Sequence, residues 1–244
     1  MEAAELAIYL FMACAVAALL QHPESPVQRL VAGGVERRAL MGIAMGVTLT
    51  AIILSPWGKQ SGGHFNPAVT FAYYRLGKVE FWDFWFYIVA QFLGAIGGVC
   101  VARVMLRGDA GNAAVRYAVT VPGVWGSAVA FIAEVGISFL LMLVVLIITN
   151  RAQLARYTAY FVGLLIAAYI TFESPLSGMS SNPARSFGPA VHAGQWHALW
   201  IYFVAPSLGM LIAAEVFLRA RGGAGPYCAK LHHDNDKRCI FCHD

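Results

Sequence analysis

The sequence predicts an all-α membrane protein with six transmembrane helices and two re-entrant half-helices arranged as an inverted repeat. Three observations carry that prediction. The 244 residues are 59% hydrophobic and only 12% charged, well below the ~25% charged share of a soluble domain. Six apolar stretches approach the ~20 residues a helix needs to cross a bilayer. The triplet Asn-Pro-Ala occurs twice, at Asn66-Pro67-Ala68 and Asn182-Pro183-Ala184, each time opening an apolar segment too short to cross alone.

The first span is predicted at 4–20. Met1-Glu2-Ala3-Ala4-Glu5 has no cationic leader and no cleavage pattern, so this segment is expected to stay as a span. Spans two and three are predicted at 39–57 and 82–104, with a half-helix at 66–76 between them. Spans four, five and six are predicted at 124–149, 157–173 and 197–219, with the second half-helix at 182–192. Asn is a strong N-cap and Pro at the first helical position gives up no hydrogen bond, so each triplet reads as a helix start. At ~1.5 Å per residue each half-helix covers about half of a ~30 Å hydrocarbon core.

The repeat extends past the triplets. Trp85-Phe86-Tyr87-Ile88-Val89-Ala90 in span three matches Trp200-Ile201-Tyr202-Phe203-Val204-Ala205 in span six, and Ala4-Glu5 matches Ala133-Glu134. Each half (about 1–110 and 124–220) holds three spans, an odd number, so the halves must insert with opposite topology. Inverted repeats bring broken helices together near the midplane. The expected organisation is a channel domain over 1–220 followed by a cytoplasmic Cys/His-rich tail over 221–244. With both termini inside, ten Lys and Arg residues face the cytoplasm and six face outward, which favours that orientation. The net charge of +4 is mild and suits cationic loops rather than nucleic-acid binding.

Two helix starts meeting inside a membrane place two positive dipole ends at one point. Each Asn oxygen caps its own helix, which leaves the amide NH₂ of Asn66 and Asn182 to donate to the oxygen of a passing molecule. The segments Gly62-Gly63-His64-Phe65 and Gly178-Met179-Ser180-Ser181 are expected to be unwound and to line the pore with carbonyls. Irregular backbone at that depth is tolerated only around a wet cavity. Glu5 and Glu134 lie in apolar spans, where ionisable groups are costly and face the protein interior.

On Ser61-Gly62-Gly63-His64-Phe65-Asn66-Pro67-Ala68-Val69-Thr70 and Ser180-Ser181-Asn182-Pro183-Ala184-Arg185-Ser186-Phe187-Gly188-Pro189-Ala190, the chain resembles the aquaporin, or major intrinsic protein, family over about residues 4–219. The resemblance implies a multi-pass cell-membrane channel for water and small neutral solutes, assembled as a homotetramer with one pore per protomer. It implies that Arg185 lines the narrowest point near the outer mouth, and that Glu5 and Glu134 brace the loops before the half-helices. His64 is expected to brace the first loop too. No cofactor is required and no enzymatic activity is implied.

The remaining constriction positions fall at Ile170, Met179, and either Met45 or Gly46. Water-selective relatives carry an aromatic and a His there, and this chain has neither. Such a ring would be less polar and would ease passage of glycerol, ammonia or metalloid hydroxides. Ser186 argues the other way, because glycerol-channel relatives commonly carry Asp at that position. Glu173, near the outer mouth, reads as a solvated loop carboxylate, the alternative being a partner for Arg185 or an attractor of cations to the vestibule.

The tail concentrates soft ligands at Cys228, His232, His233, Cys239, Cys242 and His243. A tetrahedral Zn²⁺ site and a tail of reduced thiols both fit this pattern. Cys239–His243 also matches the haem-attachment pattern C-x-x-C-H, which a cytoplasmic location disfavours. An ion channel or secondary transporter built on broken helices is the alternative function. It would want a carboxylate or a coordinating ring at the midplane, and the motifs place none there.

Overall fold

The computed structural model describes residues 1–31, 33–233 and 235–241. Among them every regular element is helical. In chain order these are α1 (Glu2–Gln21), α2 (Pro26–Leu30), α3 (Gly34–Leu54), α4 (Pro56–Ser61), α5 (Pro67–Arg75), α6 (Phe81–Met105), α7 (Gly126–Thr149), α8 (Thr158–Phe172), α9 (Ser174–Ser177), α10 (Pro183–Ala193) and α11 (Ile201–Ala220). Short 3₁₀ turns at Asp109–Gly111, Arg116–Ala118 and Ala155–Tyr157 join the longer pieces. Helices α1, α3, α6, α7, α11, and α8 with its preceding turn, are long and apolar enough to cross a membrane.

The ends differ from expectation in informative ways. Helix α1 begins at Glu2, so a second carboxylate enters the bundle two residues earlier than predicted. Helix α3 begins at Gly34 and carries Glu36, Arg37 and Arg38 within its first five residues, ahead of the apolar stretch. Helix α11 begins at Ile201, capped by Trp200.

Helix α1 packs on α6 and α7 on α11, while α3 and α8 pack on each other. The half-helix α5 lies against α11, and α10 lies against α6. Exchanging α1 with α7, α3 with α8, α5 with α10 and α6 with α11 returns the same set of contacts, as two repeated halves require, and an odd number of spans per half sets the halves in opposite topology. Lipid supplies little hydrophobic drive between helices, so close backbone approach must do the work. On α6, a Cβ at Gly94 would sit 2.2 Å from the Ala3 carbonyl oxygen, and one at Gly98 would sit 2.3 Å from that of Ala7. Only hydrogen fits at those two positions.

The outer surface is apolar. Phe86, Leu93, Val104, Ile132 and Leu164 are among the large side chains left exposed on the long helices, as a lipid-facing surface requires.

Candidate functional site

The two half-helices begin where expected. Asn66 Oδ1 accepts from the Ala68 amide at 2.9 Å and Asn182 Oδ1 from the Arg185 amide at 3.1 Å, so each side chain caps its own helix. The amide nitrogens then reach across the molecule. Asn66 Nδ2 donates to the Ser181 carbonyl and Asn182 Nδ2 to the Phe65 carbonyl, both at 2.8 Å. Sequence alone predicts that the whole NH₂ of each Asn is open to a passing molecule. The structure takes one N–H from each to latch the opposite loop, which leaves one N–H per amide. Phe65 and Ser181, whose carbonyls complete the latch, both have positive φ (28° and 49°), as does Met179 (51°). Non-glycine residues adopt that conformation at a cost, and it persists only where surroundings over-determine it.

Buried carboxylates supply that restraint. Glu134 accepts from Ser177 Oγ at 2.7 Å, from the Ser180 amide at 2.6 Å and from the Ser181 amide at 2.8 Å. In the first half the same job is divided. Glu2 accepts from the His64 amide at 3.1 Å, the Phe65 amide at 2.7 Å and Gln91 Nε2 at 2.6 Å. Glu5 accepts from Ser61 Oγ at 2.8 Å. The backbone brace of the first loop is therefore Glu2, and Glu5 holds the Ser61 hydroxyl. Sequence reasoning missed Glu2 because it sits ahead of the apolar run. It also missed Tyr87 and Tyr202, whose hydroxyls donate to the Ser61 and Ser177 carbonyls, each at 2.6 Å. Both tyrosines lie in the repeated hexapeptide, so the repeat itself carried their signal.

Asn66 and Asn182 line a central cavity of about 40 Å³ with Gly63, His64, Phe65, Ser180 and Ser181. Leu49, Ile53, Val145, Val162 and Ile166 form its apolar wall. Its volume exceeds the ~10–15 Å³ needed to admit a water. A wider cavity of about 370 Å³ opens at the other end, lined by Ile170, Gly178, Met41 and four arginines, Arg37, Arg38, Arg116 and Arg185. Arg185 lines both cavities and so stands where they approach. Its side chain is largely buried, and Nη1 donates to the Ala118 carbonyl at 3.3 Å.

Met45 and Met179 are buried and belong to the lining of neither cavity. Met45 is one helical turn from Met41, in the wide cavity, and one turn from Leu49, in the central one, so the i, i+4 rule sets it on the same face between them. Gly46, the other candidate, is corrected: a Cβ there would lie 2.4 Å from the Gly163 carbonyl oxygen. Gly46 lets α3 and α8 touch and does not face the pore. Ser186 is fully buried and accepts from Thr120 Oγ1 at 2.5 Å while pairing with Ser180 Oγ at 2.6 Å. It is part of a hydroxyl chain behind the second loop, outside the pore lining. Glu173 is buried rather than solvated, and burial, reinforced by the Glu134 carboxylate, pushes its carboxyl up to about 7. No ion pair joins it to Arg185 among the described residues.

The tail folds back under the pore. The Leu231 amide donates to the Gly62 carbonyl at 3.0 Å, and Leu231 lines the central cavity. His64 Nε2 donates to the Ala229 carbonyl at 2.7 Å, and its ring lies between Tyr73 and Phe241, stacked at 5.2 and 5.5 Å. His64 thus ties loop to tail as well as lining the cavity. Ligand atoms of Cys228, His233 and Cys239 lie within 4.8 Å of one another. His232 is not part of that group, and Cys242 and His243 lie outside the described residues.

Six apolar spans around a cavity crossed by two latched helix starts define a polytopic membrane channel. Residues 2–217 match the family model described as major intrinsic protein, and the chain belongs to that family. It is 35% identical to glycerol uptake facilitator protein-like 6 of Lactiplantibacillus plantarum, over 71% of this chain and 81% of that protein. It is 32% identical to aquaporin TIP4-4 of Zea mays, over 80% and 78% of the two chains. It is also 32% identical to nodulin-26 of Glycine max, over 72% and 64%. The matched region spans from about half to four fifths of the length of such relatives. The X-ray structure of the aquaglyceroporin from Plasmodium falciparum superposes with a TM-score of 0.72 at 18% identity, covering 88% of this chain and 92% of that one, which shows the shared fold.

Proposed function

We propose that this chain is a passive channel for water with relaxed selectivity toward small neutral solutes such as glycerol, ammonia and metalloid hydroxides, and that it excludes protons and ions. The observation that carries this is the pair of Asn amides at one narrow cavity, each with one N–H held by the opposite loop and one left for the solute. Two fixed donors turn a water oxygen toward the centre and its hydrogens outward, which breaks the hydrogen-bonded chain a proton would follow. The positive ends of α5 and α10 oppose cations at the same point, and Arg185 opposes them again. Apolar walls keep each molecule weakly held.

Ile170 and Met41 at the wide cavity support the relaxed selectivity, since its described lining includes no imidazole. The glycerol-uptake relative is in keeping with it. Ser186 carries no weight against it, because its hydroxyl serves the loop. A transporter or ion channel would want an acidic group in the central cavity, and its described lining includes none. The chain is read as a homotetramer in the cell membrane with both termini cytoplasmic, the second point supported by the ten-to-six distribution of Lys and Arg. The chemistry is transport alone, with no catalytic step.

The test is reconstitution. Proteoliposomes are mixed by stopped flow against an impermeant osmolyte and then against glycerol, with an internal pH dye recording proton flux. Osmotic shrinkage above that of empty vesicles, glycerol re-swelling and an unchanged proton leak are expected. Shrinkage no faster than empty vesicles would defeat the proposal.

A further inference from the structure

We infer that residues 226–233 and 235–241 form a metal-stapled stopper, in which Cys228, His233 and Cys239 bind a divalent cation of the Zn²⁺ class and so hold Leu231 in the pore mouth at the terminal end. The proposal rests on the channel reading for its consequence but not for the metal.

The segment has no helix or strand among its described residues, yet Cys228, Ala229, Lys230, Leu231 and Phe241 are all buried. Short irregular segments are commonly held by a staple. Cys228 and Cys239 Sγ lie 3.2 Å apart. Two thiolates bound to one tetrahedral ion at ~2.3 Å sit about 3.8 Å apart, so a small opening admits the ion. His233 supplies a third donor, which leaves one tetrahedral position for a fourth ligand. On binding, the two thiols release their protons to solvent, and no electron moves.

The donors close the neck of a loop whose body faces the pore. Lys230 Nζ donates to the Lys237 and Arg238 carbonyls at 3.3 and 3.0 Å, which laces the two sides of the loop beside Cys239. Leu231 lies between the ligands in sequence, lines the central cavity and donates its amide to Gly62. Ala229 and Phe241 clasp the His64 ring from the tail side. Opening the neck therefore frees the stopper, and closing it seats Leu231 where the file of water must exit.

The full chain, expressed with added zinc, is purified and its metal content measured by plasma mass spectrometry before reconstitution. Near-equimolar zinc is expected, lost in Cys228→Ser/Cys239→Ser. Water permeability should rise several-fold in that variant, in wild type treated with a zinc chelator, and in Leu231→Ala, which should keep its zinc. Metal-free wild type would overturn the site, as would a Cys228–Cys239 disulfide in the mass spectrum. Zinc-loaded protein whose permeability is unmoved by chelation and by Leu231→Ala would overturn the stopper. Metal content is read in detergent without transport, so a zinc-binding chain that passes no water in any variant refutes the channel and leaves the metal site standing.

Discussion

Replacing Glu2 by Ala should harm this protein far more than replacing Glu5, although Glu5 is the residue that repeat matching selects. Glu2 receives two backbone amides and the Gln91 amide. Its removal orphans the His64 and Phe65 N–H groups in a buried loop, at roughly 1–3 kcal/mol per unmet group. Setting against this the relief of no longer desolvating a buried carboxylate, a net loss of about 3 kcal/mol is expected. Glu5 receives one hydroxyl, Ser61 Oγ, which can turn to another acceptor, so Glu5→Ala should cost about 1 kcal/mol. For a chain of this length each kcal/mol moves the melting temperature by roughly 2–4 °C. The expected drops are therefore about 6–12 °C and about 2–4 °C, read by tryptophan fluorescence during heating in detergent. Glu134→Ala, which strips Ser177, Ser180 and Ser181 of their acceptor, should resemble Glu2→Ala. Equal losses for Glu2→Ala and Glu5→Ala, or a larger loss for Glu5→Ala, would refute the division of labour between the two carboxylates.

Gly46→Leu should destabilise the bundle by about 1–3 kcal/mol or more through overpacking, because its Cβ meets the Gly163 carbonyl. The surviving protein should keep its glycerol-to-water permeability ratio, and a changed ratio would return Gly46 to the pore. Ile170→His should lower glycerol permeability more than water permeability in stopped-flow assays by adding a polar ring beside Arg185; an unchanged ratio would show that Ile170 does not set selectivity. For Glu173 the folded carboxyl is raised to about 7 from 4.5, so the folded state holds the proton longer than the unfolded state. Stability then falls as pH rises from about 4.5 to 7 and stays low above. Glu173→Gln removes that slope and should gain at most about 2–3 kcal/mol at pH 8 relative to pH 5; a melting-temperature gain equal at both pH values would exclude the carboxyl as its source.

The architecture was largely legible because membrane insertion makes apolar length a direct readout of span number, and because Asn-Pro is an unambiguous helix start. The six spans and both half-helices sit within a few residues of expectation. What the sequence hid were relations across the bundle. A one-residue gap in the loop leaves Met45 and Gly46 equivalent by spacing, and only Gly163, opposite Gly46 across the bundle, separates them. Hydropathy hid Glu2, which lies at a chain end where charge is ordinary. The role of Ser186 depended on Thr120, 66 positions away, a distance no local pattern spans. The tail was legible as a group of metal-binding residue types, but its position under Gly62 and His64 was not.

The exchange of amides between Asn66 and Ser181, and between Asn182 and Phe65, has a consequence for biogenesis. The carbonyl that completes the first loop lies 115 residues downstream. At a synthesis rate of roughly 5–20 residues per second, the early portion of the polypeptide waits on the order of ten seconds in the bilayer before its counterpart exists. During that interval the nascent first loop has an unmet donor in a largely apolar setting. A severed N-terminal fragment would stay in that unfinished condition until the missing portion was supplied in trans.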